Sequence, residues 1–257
     1  MSVLQAGMKA CSVDLNESIL VIGASQDDLD LLRQAGFSNL TASNISTQPM
    51  GESIPQLSLN ADSIDLPDES YDMVFTHAVL HHCRSPHRAL CEMMRVARRH
   101  VFFFEPNDSF FMRLLMMAKL SFPYEIPAVV DHEFKSGGVD NTHIPNFIYR
   151  WNSNEVFKTA SSYLAEREFA CHCYPYWDFY VNEEELAVRQ QTRIGSITKV
   201  IGAKNFIRLL GLAQSVMNVV SRSQGNKFFA GIVKKPQLRP WLTVDAGEVV
   251  FDRDFVR

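Results

Sequence analysis

A doubly wound α/β fold on a parallel sheet is what this sequence predicts, and three observations carry the prediction. Short unbroken apolar runs, "ILVI" at 19–22 and "VFFFE" at 101–105, have the composition of strands buried on both faces. Segments with helical caps and helical spacing of apolar residues lie between such runs. The two kinds of segment alternate along the first 120 residues, the order that builds a parallel sheet with crossover helices.

The first unit is "ESILVIGASQDDLDLLRQAGFSNLTASNIS", residues 17–46. After the strand and Gly23, Ser25 can cap a helix with Asp28 as its capping-box partner. Leu29 and Leu32 supply its apolar face, and Gly36 ends it. "LTAS" at 40–43 reads as a second strand, closing a right-handed βαβ unit. "YDMVFTH" at 71–77 is a further strand. A helix over 85–100 follows, with Ser85 as cap and Pro86 at its first position. Leu90, Met93, Met94 and Ala97 form its buried face, while Arg98, Arg99 and His100 suit its C-terminal end.

After "VFFFE", a Met-rich helix is expected at about 109–120. Residues 121–152 hold three prolines and a Gly-Gly pair without periodicity, the texture of a long ordered loop or lid. A helix over 153–164 capped by Ser153, a strand at 167–177, an amphipathic helix at 196–220 and a last strand at 226–236 complete the chain.

A chain of 257 residues suits one sizeable α/β domain with an elaboration. The expected division is one domain over 1–235, with 121–195 as lid and substrate insertion and 236–257 as a C-terminal tail. A net charge of −4 gives no reason to expect a nucleic-acid partner. Five cysteines without framework spacing, and no basic-then-apolar leader, suggest a cytoplasmic protein. The most apolar region, 100–122, is cut by Glu105, Asp108, Arg113 and Lys119. It leaves no span of about 20 residues to cross a bilayer, so membrane contact would be peripheral.

Residues 59–105, "LNADSIDLPDESYDMVFTHAVLHHCRSPHRALCEMMRVARRHVFFFE", resemble the class I S-adenosylmethionine-dependent methyltransferases. The block resembles especially the branch with a "DAxxLPFPDxSFDxVxxxxVLHHxxDPxxALxExxRVLxP" core. The resemblance implies a Rossmann-like, mostly parallel seven-stranded sheet with an inserted lid, and S-adenosylmethionine as cofactor across the C-terminal strand ends. By position, Gly23, Ala24 and Ser25 match the loop under the methionine portion. Asn44, followed by Ile45, matches the acidic residue that ends the second strand and binds the ribose. Asn60, Ala61 and Asp62 match the turn beside the adenine. His77, Leu80 and His81 match the stretch flanking cofactor and substrate. Departures are Val21 in place of an acidic residue, Ser25 and Asp27 in place of loop glycines, and Asn44 in place of the carboxylate. A neutral amide makes a weaker hydrogen bond than a carboxylate. A dinucleotide fits less well, because Asp27, Asp28 and Asp30 at the helix start would repel a pyrophosphate.

Methyl transfer needs positioning, and a base only for acceptors such as hydroxyls. The candidate catalytic residues are His143, His81 and Glu105; the neighbouring His82, and the plain reading of a packed histidine pair, stand beside them. Asn107, Asn141, Asn146, Tyr149 and Arg150 are the candidate acceptor-binding residues, the alternative being a structural turn and loop. Asp140 belongs to the same polar loop, and Gly137-Gly138 would let that lid move. "CHC" at 171–173 lacks a partner pair, so no metal site is expected. The helix at 196–220, with Lys199, Lys204 and Arg208, reads as core packing, a dimer face or a membrane-surface helix. The expected activity is methyl transfer to a small-molecule, glycan or lipid-linked acceptor by a monomer or homodimer. The alternative is a non-catalytic binding or regulatory subunit that keeps the fold.

Overall fold

The computed structural model describes residues 3–45, 54–119, 121–179 and 198–256. In chain order the elements of its first half are α1 (Val3–Cys11), β1 (Ile19–Ile22), α2 (Gln26–Gln34), β2 (Leu40–Asn44), β3 (Gln56–Ser58), β4 (Tyr71–His77), α3 (Pro86–Val96) and β5 (Ala97–Pro106). There follow α4 (Phe110–Met117), α5 (Ile126–Asp131), α6 (Ser153–Tyr163), β6 (Arg167–Tyr176), α7 (Ala203–Val220), β7 (Lys227–Leu238), β8 (Leu242–Asp245) and β9 (Glu248–Phe251). Strands β1 to β7 make one seven-stranded sheet in the order β3-β2-β1-β4-β5-β7-β6. Only β7 runs against its neighbours.

Each strand alternates between two cores. Ile19 and Val21 of β1, with Phe102 and Phe104 of β5, face α1 and α2. Leu20 and Ile22, with Val101 and Phe103, face α3 and α6. Both faces are covered, which is why the strands read as unbroken apolar runs. Truncating a fully buried ring such as Phe102, Phe103 or Phe229 would cost about 3–5 kcal/mol.

Several expectations are met at residue level. Ser25 caps α2, with Asp28 returning the capping-box bond, and Ser85 caps α3 with Pro86 in its first turn. Others are corrected. Residues 97–100 belong to β5, not to the C-terminus of α3. Lys234 of β7 donates to the carbonyls of Met94 (3.2 Å) and Ala97 (2.7 Å), doing the capping expected of Arg98–His100. Arg98 instead pairs with Asp72, and His100 with Glu17. Asn152, not Ser153, caps α6, because its side chain accepts from the Asn154 and Glu155 amides. The helix expected over 196–220 breaks at Gly202, whose φ is +81°, and α7 starts after it; residues 196–197 lie outside the described residues. β7 runs past Pro236, and the expected tail folds into the β8–β9 hairpin. Helix α1 and strand β3 carry no signal singled out in the sequence. Gly7 lets α1 lie on the sheet, since a Cβ there would stand 2.3 Å from the Phe229 ring. No described helix is long and apolar enough to cross a membrane.

Candidate active site

β1, β2 and β4 end side by side, with Ile22 opposite Ser43 and Thr76. The chain then leaves the sheet at Gly23–Ser25, at Asn44–Ile45 and at His77–Val79, and these exits surround one cavity of about 780 Å³. Gly23 has φ +62°, and a Cβ on it would stand 2.4 Å from Val79, so the turn requires glycine. The loops are tied to one another: the Ala24 amide donates to Ser43 O at 3.1 Å, and Asn44 Nδ2 donates to Ala24 O at 2.8 Å. The amide group of Asn44 therefore offers a ligand its acceptor, Oδ1. Asn60 uses its oxygen to accept from the Asp62 amide at 2.8 Å and so offers its donor Nδ2.

Three aspartates (Asp27, Asp28 and Asp140) line this cavity, and no lysine or arginine does among the described residues. Asp28 is spoken for. Its carboxylate accepts from Ser25 Oγ at 2.6 Å and the Ser25 amide at 3.0 Å, and it stands 2.8 Å from Nδ1 of His77. Burial raises its pKa, but the bonds from His77 and Ser25 outweigh burial and hold it below the usual value. The Asp28–His77 pair fixes the start of α2 to the end of β4.

Behind the cavity lies a buried clasp. Glu105, at the end of β5, accepts from the Leu80 amide at 2.7 Å and from His81 Nδ1 at 2.6 Å. Nε2 of His81 points to Glu125 Oε2 at 3.3 Å, as does Nε2 of His82 at 3.2 Å. Burial opposes charge on His81, yet the two carboxylates prevail and bring its pKa up to about 9. Hydrogen bonds from His81 and His82 hold Glu125 well below the usual carboxylate range. Asn146 closes the clasp, donating to His81 O and to Glu125 Oε2, both at 3.2 Å.

The opposite wall comes from the segment expected to be a lid. Ala128 and His132, then Ser136–Gly138, Asp140 and Asn141, face the cavity. Arg84 binds Asp140 at 2.7 Å, tying this wall to the turn after His82. The glycine pair serves close approach: a Cβ would stand 2.5 Å from Ala128 O at Gly137 and 1.9 Å from Ile144 O at Gly138. The Gly138 amide is also bonded to Thr142 O at 2.8 Å.

Of the residues singled out in the sequence, Gly23, Ala24, Ser25, Asn44, Ile45, Asn60, Ala61, His77 and Asn141 line the cavity; Asp62, Leu80, His81, Glu105 and Asn146 do not. His143 is exposed and does not line the cavity. Asn107 donates to Gly225 O at 2.7 Å, joining β5 to the start of β7. Tyr149 is held between His87 (2.9 Å) and Glu155 (3.0 Å), and burial with Glu155 pushes its phenol up to about 12. The terminal nitrogens of Arg150 donate to Ile148 O, Ser121 Oγ and Phe122 O. Sequence reading did not single out Val79, Cys83, Ala128, His132 or Ser136 as lining, nor Glu125. Val79 and Cys83 lie in the 59–105 block at positions not singled out, whereas Glu125, Ala128, His132 and Ser136 stand in no motif; folding brings the 125–141 segment across the strand ends.

Residues 10–104 match the family model described as a methyltransferase domain. Among solved structures the chain is similar to a putative methyltransferase from Bacillus halodurans, with 11% identity, a TM-score of 0.51, and 92% of this chain and 100% of that one covered. It is also similar to the YcgJ protein from Bacillus subtilis, with 12% identity, a TM-score of 0.52, and coverage of 91% and 98%. No curated protein sequence matches the chain significantly.

Proposed function

We propose, from the premise that this chain carries a methyltransferase domain of the class I, S-adenosylmethionine-dependent fold, that it transfers a methyl group to a small-molecule, glycan or lipid-linked acceptor. The observation that carries the reading is the cavity at the ends of β1, β2 and β4, lined by aspartates without a lysine or arginine among the described residues. At about 780 Å³ it falls within the roughly 300–1,000 Å³ of small-ligand sites. Its charge suits a sulfonium and an ammonium, and disfavours a phosphate.

S-adenosylmethionine, when bound, supplies a methyl carbon on sulfur open to in-line attack. Gly23, Ala24 and Ser25 would hold its amino-acid portion through backbone groups, and Asn44 Oδ1 with Ile45 would take the ribose side. Asn60 and Ala61 would border the base, with Asp62 behind them; His77 and Leu80 would flank the centre. Glu105 and His81 act as positioning residues, since both oxygens of Glu105 are occupied and His81 holds its proton between two carboxylates. His82 is the imidazole of that turn that reaches the cavity. Asn141 stands in the acceptor wall, and Asn107, Asn146, Tyr149 and Arg150 brace it. His143 serves as base only if the 139–148 turn moves inward.

The reading takes the chain as one domain that runs through β7, with residues 128–141 of the expected insertion facing the cavity and α6 and β6 belonging to the core and the sheet, working as a monomer or homodimer. All five cysteines stand free, which supports a cytoplasmic setting. Calorimetric titration with S-adenosylhomocysteine is expected to show saturable binding. A folded protein with no saturable heat at millimolar ligand would overturn the enzyme reading. It would favour the second reading, a non-catalytic binding subunit, for which the neutral Asn44 in the ribose position speaks.

A further inference from the structure

We infer that His81, His82 and Glu125 form a site for a first-row divalent metal ion such as Zn²⁺, at the wall of the cavity. Nε2 of His81, a carboxylate oxygen of Glu125 and a ring nitrogen of His82 converge within 4.8 Å of one another. Glu125 Oε2 stands 3.3 Å from His81 Nε2 and 3.2 Å from His82 Nε2. A tetrahedral site with bonds of about 2.0–2.1 Å has ligand–ligand edges of about 3.3–3.4 Å. Two of the three edges therefore already have the length that an ion requires.

The surroundings are those of a ligand set held in advance. Glu105 takes the Nδ1 hydrogen of His81 at 2.6 Å, which aims Nε2 at Glu125, the carboxylate–histidine pairing that orients metal ligands; an ion would displace the Nε2 proton shared with Glu125. The turn that carries both histidines is pinned by Leu80 N–H on Glu105 Oε1 at 2.7 Å. Glu125 is anchored from the other side, its amide donating to Asn146 O at 3.0 Å. An independent observation comes from Asn146 itself. It is fully buried, its Nδ2 touches Glu125 Oε2 at 3.2 Å, and its Oδ1 has no hydrogen-bond partner among the described residues. An unmet acceptor beside a carboxylate is what a water on the ion would satisfy.

Two imidazoles and one carboxylate favour zinc, cobalt, nickel or iron over magnesium or calcium. Three protein ligands leave a position open, as catalytic sites do. Since His82 faces the cavity, an acceptor hydroxyl bound there would lose its proton more readily. That consequence rests on the methyl-transfer reading; the binding site itself does not.

The test uses full-length protein stripped with a chelator and titrated with Zn²⁺ against a chromophoric indicator, with Co²⁺ absorption as a second probe. One equivalent is expected to bind with micromolar affinity or better. Glu125→Gln, which preserves shape, and His82→Asn are each expected to weaken binding at least tenfold. Glu105→Gln, one shell out, should weaken it about 10–100-fold, and His172→Ala on β6 should leave it unchanged. Absence of stoichiometric binding by folded protein would overturn the site, as would wild-type affinity in both Glu125→Gln and His82→Asn. An S-adenosylhomocysteine titration of the stripped protein separates the two readings. Cofactor binding without zinc binding sinks only the metal site, and zinc binding without cofactor binding leaves it standing.

Discussion

β5 takes part in two buried imidazole–carboxylate pairs, one near each of its ends, and they differ in what lies beyond the imidazole. At the N-terminal edge of the sheet, His100 meets Glu17 at 2.8 Å, and its other nitrogen meets Cys11 O at 3.2 Å. Both ring nitrogens are satisfied by the fold, and nothing there opens to the cavity. At the C-terminal edge, Glu105 meets His81 at 2.6 Å, but the far nitrogen of His81 looks toward Glu125, His82 and the cavity wall. A buried His–Glu pair is therefore not in itself a sign of chemistry. What distinguishes the second is its place at the strand ends where α/β sheets bind ligands, and the unfinished bonding around it.

The comparison can be broken most forcefully by removing one partner from each pair. Glu17→Ala and Glu105→Ala each take from a buried imidazole its shorter carboxylate contact, and each is expected to lower the unfolding free energy by about 3–5 kcal/mol in urea titrations. If either costs less than about 1 kcal/mol, the two pairs are not structural equivalents. Next in size is Gly23→Ala, which forces a side chain into a left-handed conformation at about 1–3 kcal/mol and presses on Val79. S-adenosylhomocysteine affinity should fall at least tenfold by calorimetry, whereas Gly7→Ala at the distant α1 contact should lower the melting temperature without that loss.

Asn44→Ala removes one neutral hydrogen bond, and affinity for the same ligand should drop about fivefold, the equivalent of roughly 1 kcal/mol. Unchanged affinity would place the ribose elsewhere. The smallest effect is on the acid limb of stability. Asp28 has a folded-state pKa below its unfolded value, so its contribution is complete above about pH 4 and is lost as pH falls through the folded value. Asp28→Asn should be less stable near neutral pH and flatter below about pH 4 in pH-resolved thermal melts.

Much of the proposed cofactor side was legible because it is local. Gly23, Ser25 and Asp28 lie within six residues and obey turn and capping rules that act over one helical turn, and the 59–105 block carries its likeness in consecutive residues. The proposed acceptor side was less legible. Tyr149 and Arg150 have the composition of a binding loop, yet the Tyr149 hydroxyl and the two terminal nitrogens of Arg150 are taken by His87, Glu155, Ser121 and nearby carbonyls. Composition cannot say which donors remain unspent. The boundary of α3 failed for a related reason: Arg98–His100 suit a helix end, but Lys234, more than 130 residues away, takes the carbonyls they would have met.

The sequence by itself determined the strand–helix alternation, the two-faced burial of the sheet, the glycine turn after β1 and the likeness of 59–105 to a methyltransferase core, because each depends on periodicity or on neighbours along the chain. Tertiary structure alone decided that Glu125 reaches the two histidines and that Asn146 is buried beside them. Those facts depend on where a segment without periodicity crosses the strand ends, and contacts between residues dozens of positions apart leave no local mark.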